Sequence, residues 1–193
     1  AVLRRDLAPT QFGEGLALGN VGALGHLGHL GPLSNVELVQ LTWREGVALR
    51  YDPETLAPRG EFRYSGEGWG LVFDGARYVR SDGTAVLRFH DSLSFAETGR
   101  LEVTLDGRAV DQLNELEWSE GSLYANRWGS DEILRIDPAS GRVTAVIDAS
   151  GTWSRPNPAG SGGIAAAGER ELADRIAYGI TCVLIRERER YAR

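Results

Sequence analysis

An all-β chain of repeated, four-stranded antiparallel sheets is what this sequence predicts, and three observations carry the prediction. A strand-and-turn phrase recurs as Val47-Ala-Leu-Arg-Tyr-Asp-Pro53, Ala85-Val-Leu-Arg-Phe-His-Asp91 and Ile133-Leu-Arg-Ile-Asp-Pro138, with a further copy in Val2-Leu-Arg-Arg-Asp6. Its leucines, Leu3, Leu49, Leu87 and Leu134, recur every ~38 to 47 residues, the length of a small sheet of about four strands, as in a propeller blade. Helical periodicity is confined to residues 164–176 and is weak there.

The elements follow in order. Phe12-Gly-Glu-Gly15 marks a sharp backbone turn, because glycines on both sides of Glu14 remove the steric limits on the chain. Residues 19–35, rich in Gly and Leu, fit no regular strand and read as a long loop. Each copy of the phrase leads through a turn to another strand: Gly60-Glu-Phe-Arg-Tyr64, Leu101-Glu-Val-Thr-Leu105 and Gly141-Arg-Val-Thr-Ala-Val-Ile147. Two copies are preceded by hairpins. In one, Gly70-Leu-Val-Phe73 and Arg77-Tyr-Val-Arg80 flank Asp74-Gly75; in the other, Glu115-Leu-Glu-Trp118 and Ser122-Leu-Tyr-Ala-Asn126 flank Glu120-Gly121. The expected organisation is sheets over 1–150, a Pro/Gly/Ser/Ala linker or long loop over 151–168, and a less patterned, divergent segment over 169–193.

Composition narrows the function. The 193 residues suffice for one well-cored domain or several small sheets sharing a centre, and 42% hydrophobic content is ordinary for a soluble protein. A formal charge of -6 without a basic stripe argues against nucleic acid as a partner. No apolar run of membrane-spanning length and no signal-peptide pattern is present, so no membrane partner is expected. The single cysteine, Cys182, rules out an intrachain disulfide and a CxxC knuckle, and its apolar setting suits a buried strand thiol.

Candidate chemistry centres on rings, acids and amides. Glu14, set among rings, would have a raised pKa and move protons near neutrality; a plain turn acid is the alternative, and Glu67, in the same Gly-Glu-Gly setting, competes for the role. Trp43, Trp69 and Trp128 sit at strand ends in comparable repeat positions, where they either wall a pocket at one mouth or fill a core, as Trp118 does. Trp153 borders the linker and reads as a surface or packing residue. Asn114 offers a donor and an acceptor for holding an amide, or serves a turn. Alternation places Glu115 and Glu117 on one strand face, away from Asn114 and Leu116. His26 and His29 have metal-pair spacing but lie among glycines with no third ligand nearby, and His90 takes the turn slot that aspartate fills in the neighbouring copies. No nucleophile elbow, phosphate loop or dinucleotide fingerprint occurs.

Taken together, Phe12-Gly-Glu-Gly15, Leu41-Thr-Trp43, Gly66-Glu-Gly-Trp-Gly70, Ser81-Asp-Gly83, Leu113-Asn-Glu-Leu-Glu117, Ala125-Asn126 with Trp128, and Ile136-Asp-Pro138 resemble the glutaminyl-peptide cyclotransferase family of plants and bacteria. The resemblance covers about Val2 to Ser150. It implies a β-propeller of the five-bladed family that turns the N-terminal glutamine of peptides or proteins into pyroglutamate and releases ammonia. It further implies Glu14 as the catalytic acid/base and Phe12, Trp43, Trp69, Asn114 and Trp128 as substrate-binding residues. No cofactor is required for the step, a structural calcium occurs in some relatives, and periplasmic or secreted placement goes with the family. The sequence departs from the family pattern at both ends. The Phe-Thr-Gln-Gly motif of a first blade does not precede Phe12, and Ile176-Ala-Tyr178 resembles the start of a last blade without the Gly-Lys-x-Trp-Pro-Lys motif. About four blades, or an incomplete ring, are therefore expected. A catalytically inactive propeller that binds peptides or proteins is the alternative function.

Overall fold

The computed structural model describes residues 3–20 and 36–149. Gly19 and Asn20, expected to open a long loop over 19–35, instead end a strand; the rest of that loop and the expectations for His26, His29, Trp153, Cys182, the helical stretch at 164–176, the linker and the C-terminal segment lie outside the described residues.

All regular structure among the described residues is strand. Three four-stranded antiparallel sheets form, each meandering in sequence order. The first contains β1 (Gly13–Asn20), β2 (Val36–Thr42), β3 (Val47–Tyr51) and β4 (Pro58–Arg63). The second contains β5 (Leu71–Phe73), β6 (Arg77–Arg80), β7 (Val86–Asp91) and β8 (Glu97–Glu102). A short hairpin follows, β9 (Thr104–Leu105) with β10 (Arg108–Ala109), and then the third sheet: β11 (Leu113–Ser119), β12 (Ser122–Arg127), β13 (Glu132–Ile136) and β14 (Val143–Asp148). The expected four-strand repeat and both hairpins are present. Glu120 and Gly121 both have positive φ, at 48° and 75°, which is the backbone a two-residue hairpin loop requires.

Burial runs in a gradient across each sheet. β2 and the first half of β11 are buried, whereas β4, β8 and β14 are largely exposed. Charge covers those exposed outer strands: Arg59, Glu61 and Arg63 on β4, and Glu97, Arg100 and Glu102 on β8, which makes them poor templates for edge pairing.

The chain divides into two compact units, Ala1–Asp82 with Val86–Leu101, and Gly83–Ala85 with Glu102–Arg193. In the first unit β1 packs on β5, and Ala17, Val39, Leu41, Ala48, Phe62, Leu71, Tyr78 and Phe95 form one core. Phe95 is its hub, stacked on Phe62 at 5.2 Å and on His90 at 4.5 Å. It holds a positive φ of 58°, a strained backbone for an aromatic residue that this packing offsets. In the second unit Leu113, Leu116, Leu123, Ile133, Leu134 and Ile136 are buried along the third sheet.

The pairing registers align the sheets residue by residue. Leu16 opposes Gln40, Leu71 opposes Arg80 and Leu116 opposes Ala125. These partners in turn oppose Leu49, Arg88 and Leu134. Three residues further on, the carbonyls of Asp52, Asp91 and Asp137 accept the N–H of Leu56, Phe95 and Gly141, each at 2.9 Å.

Two expectations change with this register. The second copy of the phrase is displaced by one residue, so that Arg88, not Leu87, is the counterpart of Leu49 and Leu134. Asp91 is therefore the turn aspartate, and His90 shares the buried slot of Tyr51 and Ile136 instead of serving the turn. Hydrogen bonding by the aspartate sets the register, and leucine identity does not. The proposed copy at Val2–Asp6 forms no strand over its described residues. Leu3 is exposed, Arg4 pairs with Asp6 in solvent, and no described strand precedes them to pair with.

Candidate active site

No sharp turn forms at Phe12-Gly-Glu-Gly15, because Gly13 to Gly15 open β1, but that start is irregular at Glu14. Gly13 opposes Thr42 and Leu16 opposes Gln40, so Glu14 and Gly15 together face the single residue Leu41, a β-bulge. Bulges re-aim side chains relative to the regular pleat. Both sides of this one are tied down: the Phe12 carbonyl accepts the Trp43 N–H at 2.9 Å, and the Gly15 N–H donates to the Trp69 carbonyl at 2.7 Å. A Cβ on Gly15 would lie 2.5 to 2.7 Å from backbone atoms of Trp69, Gly70 and Leu71. Only glycine lets β1 approach β5 this closely, and the approach places Glu14 beside Trp69.

Glu67 sits under this arrangement. One of its oxygens, Oε2, accepts the indole N–H of Trp43 and that of Trp69, each at 2.9 Å, and the other accepts Arg44 Nε at 3.0 Å. The Arg44 guanidinium also lies 3.7 Å from the Trp43 ring centre, and Phe12 meets Trp43 edge-on at 6.1 Å. The backbone that carries Glu67 is fixed from below by Arg80, a fully buried residue. Its guanidinium donates to the Glu67 carbonyl, to the Ser65 carbonyl at 3.1 Å and to His90 Nε2 at 3.2 Å. Because His90 accepts there, its Nδ1 carries the proton and donates to the Phe95 carbonyl at 2.8 Å. Burial lowers the His90 pKa and keeps the ring neutral for this role.

The two acids are thereby separated in character. Burial, and secondly the Glu67 carboxylate, push Glu14 up to about 7. Hydrogen bonds from Trp69, then from Trp43 and Arg44, hold Glu67 below the usual range, against a desolvation cost. Glu14 accepts no hydrogen bond from a described residue and can exchange a proton near neutrality. Glu67 is held ionised with both oxygens occupied, one by the two indoles and the other by Arg44.

Asn114 and Trp128 belong to the second unit. There β11 carries the same bulge: Leu113 opposes Arg127 and Leu116 opposes Ala125, so Asn114 and Glu115 together face Asn126. The Glu115 N–H donates to Asn126 Oδ1 at 2.9 Å, and the Trp128 N–H to the Gln112 carbonyl at 2.8 Å, the counterpart of the Trp43 to Phe12 bond. The bulge breaks the expected alternation, and Asn114, Glu115 and Leu116 are all buried. Register also revises the equivalence of the tryptophans. Trp43 and Trp128 share a slot that Gly83 fills in the second sheet, whereas Trp69 shares the bulge slot of Glu14 and Asn114.

Comparison with known proteins adds the family. A model of the glutamine cyclotransferase family matches residues 1–172. The chain belongs to that family. A glutaminyl-peptide cyclotransferase of Arabidopsis thaliana is 36% identical over 139 residues, which are 72% of this chain and 39% of that protein. The crystal structure of Myxococcus xanthus glutaminyl cyclase superposes with a TM-score of 0.69 at 38% identity, covering 84% of this chain and 66% of that one. The chain thus spans less than two thirds of the length of either relative.

Phe12, Glu14, Trp43 and Trp69 come together in one unit, and Asn114 lies in the matching bulge of the other. Sequence reasoning missed Arg44, Arg80 and His90 as parts of the support. Arg80 ends the strand phrase Arg77-Tyr-Val-Arg80, whose two like-charged ends give no sign that one of them is buried. Among the described residues no group of three or more His, Cys, Asp or Glu comes together that could hold a metal. Nor is any helix among them long and apolar enough to cross a membrane.

Proposed function

We propose that this member of the glutamine cyclotransferase family is a glutaminyl-peptide cyclotransferase, and that its four-stranded sheets are blades of a propeller of the five-bladed family, about four of them here. The observation that carries the activity is Glu14: a carboxyl with a pKa raised to about 7, in a bulge pinned between two tryptophans. That is the group an acid/base step at neutral pH needs.

In this reading the free α-amine of an N-terminal glutamine attacks the Cδ of its own side-chain carboxamide. A bond from the α-nitrogen to Cδ forms, Glu14 takes the proton that the amine loses, and the same proton passes to the departing nitrogen. The Cδ–N bond then breaks, releasing ammonia and leaving pyroglutamate on the peptide. The reaction is intramolecular, so a pocket that holds the side chain folded against its amine supplies much of the rate. Phe12, Trp43 and Trp69 form its apolar wall and exclude water, Trp128 adds the counterpart ring, and Asn114 holds the carboxamide. Peptides and proteins with N-terminal glutamine are the partners, and the step draws on no cofactor.

The test is to incubate the chain with a glutamine-initiated peptide and follow ammonia release and loss of ammonia mass from the peptide, with Glu14→Gln in parallel. Turnover in the wild type that falls by at least about a hundredfold in the variant is expected for loss of an acid/base group. A folded wild-type chain that binds the peptide without turning it over would instead support the inactive binding propeller.

A further inference from the structure

We infer that Glu67 is a positioning residue of this site, a single-oxygen clamp on two tryptophans that turns their ring faces, and not their N–H groups, into the binding surface. The inference rests on the cyclotransferase reading for its consequence in turnover but on geometry alone for the clamp. Trp43 follows the end of β2 and Trp69 precedes β5, so no strand pairing holds one ring against the other. Both indole protons go to one atom, Glu67 Oε2, each at 2.9 Å.

Two features make this a built contact. The carboxylate is ionised, so both indole bonds are charge-assisted and stronger than neutral ones. The backbone of Glu67 is also immobilised: its carbonyl accepts from buried Arg80, and the Gly68 N–H next to it donates to the Trp43 carbonyl at 2.8 Å. Gly68 has no room for a side chain, since a Cβ would meet Tyr64 Oη at 2.3 Å and the Thr42 carbonyl oxygen at 2.9 Å. The salt bridge from Arg44 contributes less, because the Arg44 side chain is 62% exposed and screened by solvent.

The consequence is chemical. With both indole N–H groups committed to Glu67, neither tryptophan donates a hydrogen bond to a ligand. The carboxamide of the substrate must then be read by other groups, and the rings select for the flat, apolar side of the bound residue. A glutamine side chain folded toward its own amine presents such a surface with its two methylenes.

The experiment compares wild type with Glu67→Leu, which removes the acceptor, and Glu67→Gln, which keeps one neutral oxygen. Indole N–H resonances are recorded by NMR, those of Trp43 and Trp69 being assigned with Trp43→Phe and Trp69→Phe. Both are expected to shift in Glu67→Leu while that of Trp118 stays in place. In turnover, Glu67→Leu should raise KM on the order of tenfold with a smaller change in kcat, and Glu67→Gln should recover most of the loss, as the strength of such bonds requires. Indole resonances unmoved by Glu67→Leu overturn the clamp whatever the turnover. Resonances that move while KM does not overturn its positioning role. A folded wild type that cyclises nothing overturns the cyclotransferase reading and leaves the clamp to be judged by the resonances.

Discussion

At the scale of single residues, the site places an acid where the fold would be more stable without its charge. Burial pushes the Glu14 pKa from its ordinary 4.5 up to about 7 in the folded chain. Between those values the folded chain holds a proton that the unfolded chain has released. Stability from this group is therefore present below about pH 4.5 and is lost as pH rises through about 7. Glu14→Gln removes the titration, so at pH 8 the variant should gain on the wild type by on the order of 1 to 2 kcal/mol relative to the difference at pH 4.5, after discounting for solvent around a half-buried group. Urea unfolding of both proteins at the two pH values measures this, and an equal difference at both would sink the argument. The raised pKa of Glu14 is what flanking glycines and nearby rings led one to expect, whereas those residues alone left a plain turn acid open and its catalytic role came only with the family resemblance. Glu67 has the same flanks and was not separable from it. The difference between the two lies in which one two indoles point at, and only the close approach of β2, β1 and β5 decides that.

At the scale of the element, the bulge depends on β1 and β5 touching through backbone. The same first-strand bulge recurs in β11, so it belongs to the repeat and is not an accident at one site. Gly15→Ala would put a methyl group within 2.5 to 2.7 Å of three backbone atoms, none of which can rotate away. The strands must separate, and the Gly15 to Trp69 bond goes with them. The expected result is a loss of roughly 2 kcal/mol or more of stability, in the range of overpacked cores, together with loss of cyclisation. Gly99→Ala in β8 is the matched control, because its Cβ would make only a 3.4 Å contact with Phe89; it should stay within about 0.5 kcal/mol of wild type. Comparable urea midpoints for the two variants would show that the close approach is not a constraint. The strands themselves were legible, as period-two runs between turn signals. Bulges were not, because an extra residue in one strand leaves no mark until its partner is known, and the expected separation of Asn114 from Glu115 failed for that reason.

At the scale of the whole molecule, the described sheets repeat one turn more faithfully than they repeat any strand. Asp52, Asp91 and Asp137 each close the connection from third to fourth strand. Their carboxylates accept backbone N–H groups and the hydroxyl of Thr55, Ser94 or Ser140 three residues on. The repeat was visible from these turns, yet aligning it on leucine put the second copy out by one residue, since side-chain identity inside a strand is freer than hydrogen bonding at its end. A shared turn predicts a shared titration. Hydrogen bonds from the threonine or serine partner, and from the turn backbone, lower all three aspartates, Asp52 to about 2. For a carboxylate depressed on folding, the stabilisation is present above the unfolded value of 3.8 and disappears as pH falls through the folded one. Replacing all three by asparagine keeps an oxygen acceptor in each turn but removes the charge. The triple variant should therefore be less stable than wild type at pH 7, and the gap should close as pH falls from about 4 toward 2, where the wild-type carboxylates become neutral as well. Urea midpoints across that range decide the matter: a gap that stays constant would mean that the turns hold through geometry alone, and that acid weakens this fold somewhere else.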